Sequence, residues 1–256
     1  RGWGVSKYKK HAELLQTAPV FRGSFIAGGA ITSIFSGRPV NDYDVYFKDE
    51  ASLVDAIHEC YGAGMWCACV TDRAITFLDK GVPVQLMTFG YFQSPQDIFD
   101  RFDFTCCMGA WCPDARGFTL HDDFLLSLSE RALRFNHGTL YPIASQLRVL
   151  KYQDRGFAID RREVLKLALA CSAVKMESWD DMRQQIGGAY GNKITMVEDG
   201  EFSISAACDA ISSTIFTEMA DAEEMPADAD ALIEHLGLTS APTQPTSAKA
   251  RVGGGT

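Results

Sequence analysis

Two glycines followed by two aspartates constrain this chain more than anything else in it. Gly28-Gly29 and Asp42-Tyr43-Asp44 lie within the stretch FIAGGAITSIFSGRPVNDYDVYF. Ser24 to Ala27 read as a short buried strand. The glycine pair reads as a tight turn that opens a helix through Ile31, Ile34 and Phe35. Arg38-Pro39 ends that helix, and Asp42 to Phe47 form the second strand of a βαβ unit. Side chains alternate across a strand, so Asp42 and Asp44 share a face. Two like charges that close raise each other's pKa unless a cation sits between them. Carboxylates suit Mg²⁺. Glycines let a backbone approach a polyphosphate, and amides at a helix N-terminus face the anion. The unit therefore reads as a metal site, Asp42 and Asp44, beside a phosphate cradle, Gly28 and Gly29. Ser33 and Arg38 flank the turn within reach of phosphate. The competing reading is a plain turn followed by two surface aspartates.

The pattern resembles the nucleotidyltransferase superfamily of DNA polymerase beta, the poly(A) polymerases and the CCA-adding enzymes. The signature of that superfamily is a hydrophobic residue, Gly-Gly or Gly-Ser, a helix-length spacer, then Asp-x-Asp in a hydrophobic strand. Here it stands as Ala27-Gly28-Gly29 and Asp42-Tyr43-Asp44-Val45. The CCA-adding group continues with a hydrophobic-Glu-hydrophobic-Thr-Thr-Phe-Arg stretch, then Arg-Arg-Asp-Phe-Thr-Ile-Asn-Ala. This chain has Val84-Gln85-Leu86-Met87-Thr88-Phe89-Gly90, then Arg101-Phe102-Asp103-Phe104-Thr105-Cys106-Cys107. Where that group has Glu-Asp-x-x-Arg opening a helix, this chain has Ala144-Ser145-Gln146-Leu147-Arg148, leading to Lys151-Tyr152-Gln153-Asp154-Arg155-Gly156-Phe157. The likeness covers roughly residues 21 to 160. It is specific at the Gly-Gly and Asp-x-Asp unit and loose after it. It implies an α+β fold with a mixed-sheet head and a helical C-terminal region. It also implies Mg²⁺ or Mn²⁺ as cofactor, an NTP as donor, and transfer of a nucleoside monophosphate to a hydroxyl. The acceptor is open among an RNA 3′ end, a protein side chain and a small molecule. A lone head of this kind looks like the compact nucleotidyltransferases of phages and mobile elements.

The departures are specific. Gln85 stands where many relatives carry a third metal-binding carboxylate, and a neutral amide is a poorer Mg²⁺ ligand. Asp103 is the only acid on a strand-like segment nearby and is the candidate third carboxylate; a strand-edge or capping role is its alternative. Ala144-Ser145 replaces the base-reading Glu-Asp pair, so CCA addition to tRNA is not expected and base choice is open. Arg148, Lys151 and Arg155 recur on one helix face beside an apolar stripe of Ile143, Leu147 and Leu150. They read as a basic wall for the triphosphate or a nucleic-acid primer, with a solvated helix face as the alternative. The rival to an enzyme is a binding or structural protein on a degenerate nucleotidyltransferase fold, serving a larger and possibly viral assembly.

The 256 residues fit one larger domain or two small ones. The partition expected is a head over residues 1–140, a helical domain over 141–238 and a flexible tail over 239–256. That tail is Pro/Ser/Thr/Gly-rich and is the expected tether to an assembly. No run of 18 apolar residues occurs, so no membrane span is expected. The chain opens Arg1-Gly2-Trp3-Gly4, without a signal pattern and without Met, as if a short leader had been left off or removed. The expected location is the cytoplasm, or a virion if phage-encoded. The net charge of -9 argues against a general nucleic-acid binder. It is unevenly spread: residues 131–193 hold eleven Lys/Arg against six Asp/Glu, and residues 198–234 hold eleven acids and no Lys or Arg. The eight cysteines form no CxxC pair and read as reduced, mostly buried thiols rather than zinc ligands. None of the five histidines has ligand spacing.

Elsewhere the patterning predicts helices over residues 8–18, 51–61, 143–155, 161–175, 178–187, 203–220 and 227–236. Strands are predicted over 65–70, 74–78, 82–87 and 102–111. Ser94-Pro95 opens a short helix, with Ser as cap and Pro just inside.

Overall fold

The computed structural model describes residues 2–4, 8–15, 17–71, 73–186, 200–212 and 225–239. The first half runs β1 (Gly2–Gly4), α1 (Lys9–Glu13), β2 (Ser24–Ala27), α2 (Gly29–Phe35), β3 (Tyr43–Phe47) and α3 (Glu50–Gly62). A hairpin-rich stretch follows: β4 (Trp66–Val70), β5 (Ala74–Asp79), β6 (Val82–Met87), α4 (Pro95–Phe99), a 3₁₀ turn at Thr105–Cys107, β7 (Gly109–Cys112) and β8 (Gly117–Leu120). The remainder is mainly helical: α5 (Phe124–Glu130), β9 (Ala132–Leu133), α6 (Pro142–Asp154), β10 (Ala158–Ile159), α7 (Arg161–Ser172), α8 (Trp179–Ile186), α9 (Ile204–Ser212) and α10 (Ala229–His235).

Eight strands form one mixed sheet in the order β1-β8-β7-β2-β3-β6-β5-β4, and β9 and β10 pair separately. Among the described residues only the β3–β6 pair is parallel within the large sheet. The expected α+β class holds. The expected βαβ unit does not hold as a parallel one, since β2 and β3 run antiparallel. The seven-residue α2 is only about 10 Å long. It packs on one face of the sheet and is too short to carry the chain back along a strand's length, so β3 itself makes the return.

Register sorts the strands into two faces. Ile26, Val45, Leu86 and Ile75 are paired neighbours across four strands, and each is fully buried. They join Ile31 and Ile34 of α2, Leu53 and Ile57 of α3, and Leu232 and Ile233 of α10 in the main core. Burying one such side chain is worth about 1.5–3 kcal/mol. On the opposite face Phe25, Tyr46 and Met87 pack with Ile98 and Phe99 of α4 in a smaller cluster. Asp44 and Gln85 of β3 and β6 lie beside it on that face.

The Ser94 cap appears as expected, as a capping box with Asp97 and Pro95 just inside. The strand expected over 102–111 is instead the 3₁₀ turn followed by β7. A Cβ on Gly109 would lie 2.7 Å from Ile31 and 3.0 Å from Phe124, so α2 and α5 press on the chain there. Side-chain bonds hold the bend: Thr32 Oγ1 lies 2.8 Å from the Cys106 carbonyl, and the Thr105 and Ser127 hydroxyls meet at 2.7 Å. α1 stops at Glu13 rather than residue 18, because the chain bends to put Leu15 and Ala18 into the core. The predicted helix over 203–220 is α9 as far as Ser212; residues 213–220 lie outside the described set, as does the tail beyond Thr239.

The buried face of α6 is Ala144, Ser145, Val149 and Tyr152, not the expected Ile143, Leu147 and Leu150; Leu150 is exposed. Val149 and Tyr152 pack with Phe104, Cys106, Cys107, Phe135 and Leu167, which seats α6 and α7 on the 3₁₀ turn. α10 returns to the head. Its apolar residues enter the main core, and the Tyr61 hydroxyl of α3 donates to the Pro226 carbonyl at 2.8 Å.

Candidate active site

The open end of the sheet and α6 enclose a cleft of about 770 Å³. Its floor begins with the glycine turn. Gly28 has φ +82°, a conformation that L side chains rarely adopt, and its amide donates to the Gly109 carbonyl at 3.1 Å. A Cβ on Gly29 would meet nothing within 4 Å. The turn is therefore pinned at Gly28 and open toward the cleft at Gly29. Ser33, one turn along α2, also lines the cleft.

Asp42 and Asp44 line the cleft together, as their strand spacing requires. Ala27, Asp44, Gln85 and Thr76 sit side by side across β2, β3, β6 and β5, so Gln85 flanks Asp44 on the same face. Burial and then the neighbouring Asp42 push the Asp44 carboxyl up to about 7, against the pull of Arg148 and Lys151. An acid held that high is a negative site short of positive charge. A divalent cation bound by Asp42 and Asp44 would supply it, and the carboxylate donors suit Mg²⁺ or Mn²⁺.

Asp103 lines the same cleft and is buried. Its Oδ2 pairs with Arg148 Nη1 at 3.3 Å, and its Oδ1 has no hydrogen-bond partner. Among the described residues no three His, Cys, Asp or Glu side chains converge as a metal-ligand set. Asp42 and Asp44 thus stand as a pair, with Asp103 turned to Arg148.

α6 forms the opposite wall. Arg148, Lys151 and Arg155 all line the cleft. Arg148 Nη2 donates to the Tyr152 hydroxyl at 3.0 Å, and that hydroxyl lies 2.6 Å from Cys107 Sγ. The Lys151 amine is held below its ordinary value by desolvation at the wall, then by Arg155 and Arg148. Arg38 does not reach the cleft. Its Nη2 donates to the Arg155 carbonyl at 3.0 Å, tying the loop after α2 to the end of α6. Ser145 lines the cleft, but its hydroxyl donates to the Tyr141 carbonyl at 3.0 Å, and Ala144 is buried.

Several lining residues escaped the sequence reading, among them Tyr46, Tyr152, Cys107 and Tyr91. Tyr46 lies two residues beyond Asp44 on the same strand face, a signal that the alternation carried. Tyr152 lies four residues beyond Arg148 on α6. Cys107 was read only as a small hydrophobe. Its thiol is brought down to about 7 by the hydrogen bond from Cys106, with help from Arg148 and Tyr152 and against burial. Tyr91 carries no motif at all.

A profile of the Gad2 family, described as "Gabija anti-defense 2 family protein", matches residues 5–131. The chain is 35% identical over 199 residues to "Gabija anti-defense 2" of Bacillus phage SPbetaL7, covering 76% of this chain and 50% of that protein. It spans about half the length of that relative. Among solved structures it is similar to a Thermotoga maritima CCA-adding enzyme complexed with tRNA (TM-score 0.47, 15% identity, 74% of this chain and 46% of that one). It is also similar to a tRNA nucleotidyltransferase complexed with a primer tRNA and an incoming ATP analogue (TM-score 0.46, 17% identity, 63% of this chain and 50% of that one). The likeness to CCA-adding enzymes expected from the motifs is thus found among solved structures, and the expected phage-like form in the sequence relative.

Proposed function

We propose that this chain is a divalent-metal-dependent nucleotidyltransferase that a phage uses against a host defence. One observation carries the chemistry. Asp42 and Asp44 share the open face at the end of β3, beside a glycine turn with free space at Gly29 and opposite a basic helix wall. Asp42 and Asp44 would hold Mg²⁺ or Mn²⁺. The metal, when bound, neutralises phosphate charge and lowers the pKa of a bound hydroxyl. The rest falls to the chain itself. The Gly28-Gly29 backbone and Ser33 cradle the triphosphate. Lys151 and Arg155 face its charge from α6. Asp103 and Tyr152 hold Arg148 in place, so its guanidinium is oriented before any ligand arrives. The phage setting rests on the relative's name, and the host cytoplasm is the compartment such a protein would work in.

A second reading has its own observation. Gln85 is in register beside Asp44, and Asp103 is committed to Arg148. That leaves a site with two carboxylates, as expected of a fold kept for binding a defence protein after catalysis was lost. One experiment separates the readings. The chain is incubated with each labelled NTP, Mg²⁺ or Mn²⁺, and mixed RNA and protein acceptors. Transfer of label by the native chain and not by Asp42→Asn supports the enzyme. No transfer, together with no Mg²⁺-dependent thermal shift, overturns it in favour of the binding protein.

A further inference from the structure

Part of the cleft lining is an aromatic pair, Phe89 and Tyr91, that the proposed donor chemistry does not use. Phe89 and Tyr91 both line the cleft while remaining 45% and 40% exposed. Large aromatics left open inside a cavity mark a ligand surface rather than a core. Phe89 is held from behind, with edge contacts to Tyr46 (6.2 Å between ring centroids) and Phe92 (5.8 Å). Tyr46 in turn packs on Phe92 and Phe102. The Tyr91 hydroxyl is 3.5 Å from a Glu50 carboxylate oxygen, which tethers its far end. Two cations line the same cleft: Arg101, and Arg73, whose guanidinium lies 4.1 Å from the Tyr141 ring centroid. Open aromatic faces and cations in one cleft are the composition that seats a base and its phosphate together. Tyr46 links this pair to the chemistry, because it lies on the same strand face as Asp44. The cleft, at about 770 Å³, lies in the upper part of the roughly 300 to 1,000 Å³ range of ligand pockets.

We propose that Phe89 and Tyr91 form the seat of the acceptor, and that the acceptor is a nucleotide unit whose base stacks there while Arg73 and Arg101 take its phosphate. This rests on the nucleotidyltransferase reading for the donor side alone. The shared chemistry is a nucleobase with a phosphate and a sugar hydroxyl, available from a free nucleotide or from the end of a single strand.

The test uses the full chain and two titrations. One follows a non-hydrolysable ATP analogue with Mg²⁺. The other, with that analogue saturating, follows AMP and a fluorescent six-nucleotide RNA. Phe89→Ala and Tyr91→Ala are expected to weaken the second titration on the order of tenfold, the scale of a lost base–aromatic stack, with a much smaller effect on the first. Phe89→Trp is expected to restore or strengthen it. Trp66→Ala, an exposed aromatic on β4 that does not line the cleft, is the folding and surface control. RNA affinity well above that of AMP assigns the seat to a strand end; equal affinities assign it to a free nucleotide. If the analogue binds and neither AMP nor RNA does, the acceptor seat is overturned while the donor reading stands. If the analogue fails to bind, the donor reading falls, and RNA or AMP binding without the analogue decides the seat separately. Equal losses in both titrations at Phe89→Ala, with the melting temperature kept, would place the ring at the donor instead and overturn the proposal.

Discussion

Val45 and Asp44 are consecutive residues of β3 with opposite surroundings. Val45 is paired with Ile26 and Leu86 on the closed face of the sheet, beneath α2 and α3, and no solvent reaches it. Asp44 faces the cleft, in register with Gln85 and close to Asp42. The closed face is covered by helices that include α2, α3, α5 and α10, and apolar groups line it. The other face carries the short α4 over part of its area, and the cleft beside it is where charge collects. One strand thus serves stability with its odd residues and chemistry with its even ones. Substitutions on the two faces should separate cleanly.

The largest effects test that separation directly. Phe47→Ala, on the closed face and fully buried, is expected to cost about 3–5 kcal/mol of stability, read by denaturant unfolding. Asp42→Asn and Asp44→Asn are expected to lower transfer on the order of 10²-fold or more, as for loss of a group that stabilises transition-state charge, while leaving the fold as stable or slightly more so. Substantial residual transfer in both Asp variants would break the metal assignment. A stability loss in them comparable to that of Phe47→Ala would break the division between faces.

Next in size is the contest between Asp103 and Gln85. Asp103 holds Arg148 through an ion pair at 3.3 Å. Asp103→Asn is expected to lower kcat/KM for the triphosphate about tenfold more than Gln85→Ala, with the loss mainly in KM. Gln85→Glu places a third carboxylate in register with Asp44, and it should tighten Mg²⁺ binding in a thermal-shift titration. A kcat loss in Asp103→Asn that extra Mg²⁺ rescues would make Asp103 a metal ligand after all.

The pH dependence is smaller and has a fixed sign. Asp44 sits near 7 in the folded chain against an ordinary 3.8. The folded state therefore holds a proton that the unfolded chain gives up. That contribution is fully present below about pH 4 and is lost as pH rises through about 7, so metal-free stability falls across this window. Asp44→Asn should flatten the fall. Mg²⁺ competes with the same proton, so its stabilising shift should grow from pH 6 to pH 8 in the native chain. A Mg²⁺ shift independent of pH would show that Asp44 is not at the metal.

The extent to which these features were legible follows the range of the interactions behind them. The glycine turn, the strand ends at Ala27 and Phe47, the capped α4, and helices α3, α6 and α7 are written in local residues, and the structure places them within a residue or a few of the reading. The three cations of α6 reach one cleft because helical spacing alone aligns them. What failed depended on distant packing. The bend at Thr105–Cys107 comes from α2 and α5 pressing on Gly109, which no local pattern announces. Arg38 turned away from the cleft because the Arg155 carbonyl, 117 residues along, offers it a partner. The aromatic pair escaped because Phe89 and Tyr91 sit in a loop without periodicity, so only their exposure in three dimensions marks them.

The smallest expected effect probes the turn on which the donor side depends. Gly28 and Gly29 are adjacent but constrained in different ways. Gly28 needs its positive φ, and a Cβ there would lie 3.7 Å from Asp44 Oδ2. Gly29 begins α2 in ordinary helical conformation, with open space where a Cβ would go. Gly28→Ala should therefore strain the backbone, at about 1–3 kcal/mol, and lower the melting temperature. Gly29→Ala should leave the melting temperature unchanged or raise it slightly, since Ala is favoured over Gly in a helix by up to about 1 kcal/mol. If triphosphate lies against this turn, the new methyl occupies its space, and affinity for a non-hydrolysable NTP should fall several-fold in Gly29→Ala despite the sound fold. Unchanged affinity in that variant would move the phosphates off the turn and onto the α6 wall alone, where Lys151→Ala and Arg155→Ala would then carry the whole loss.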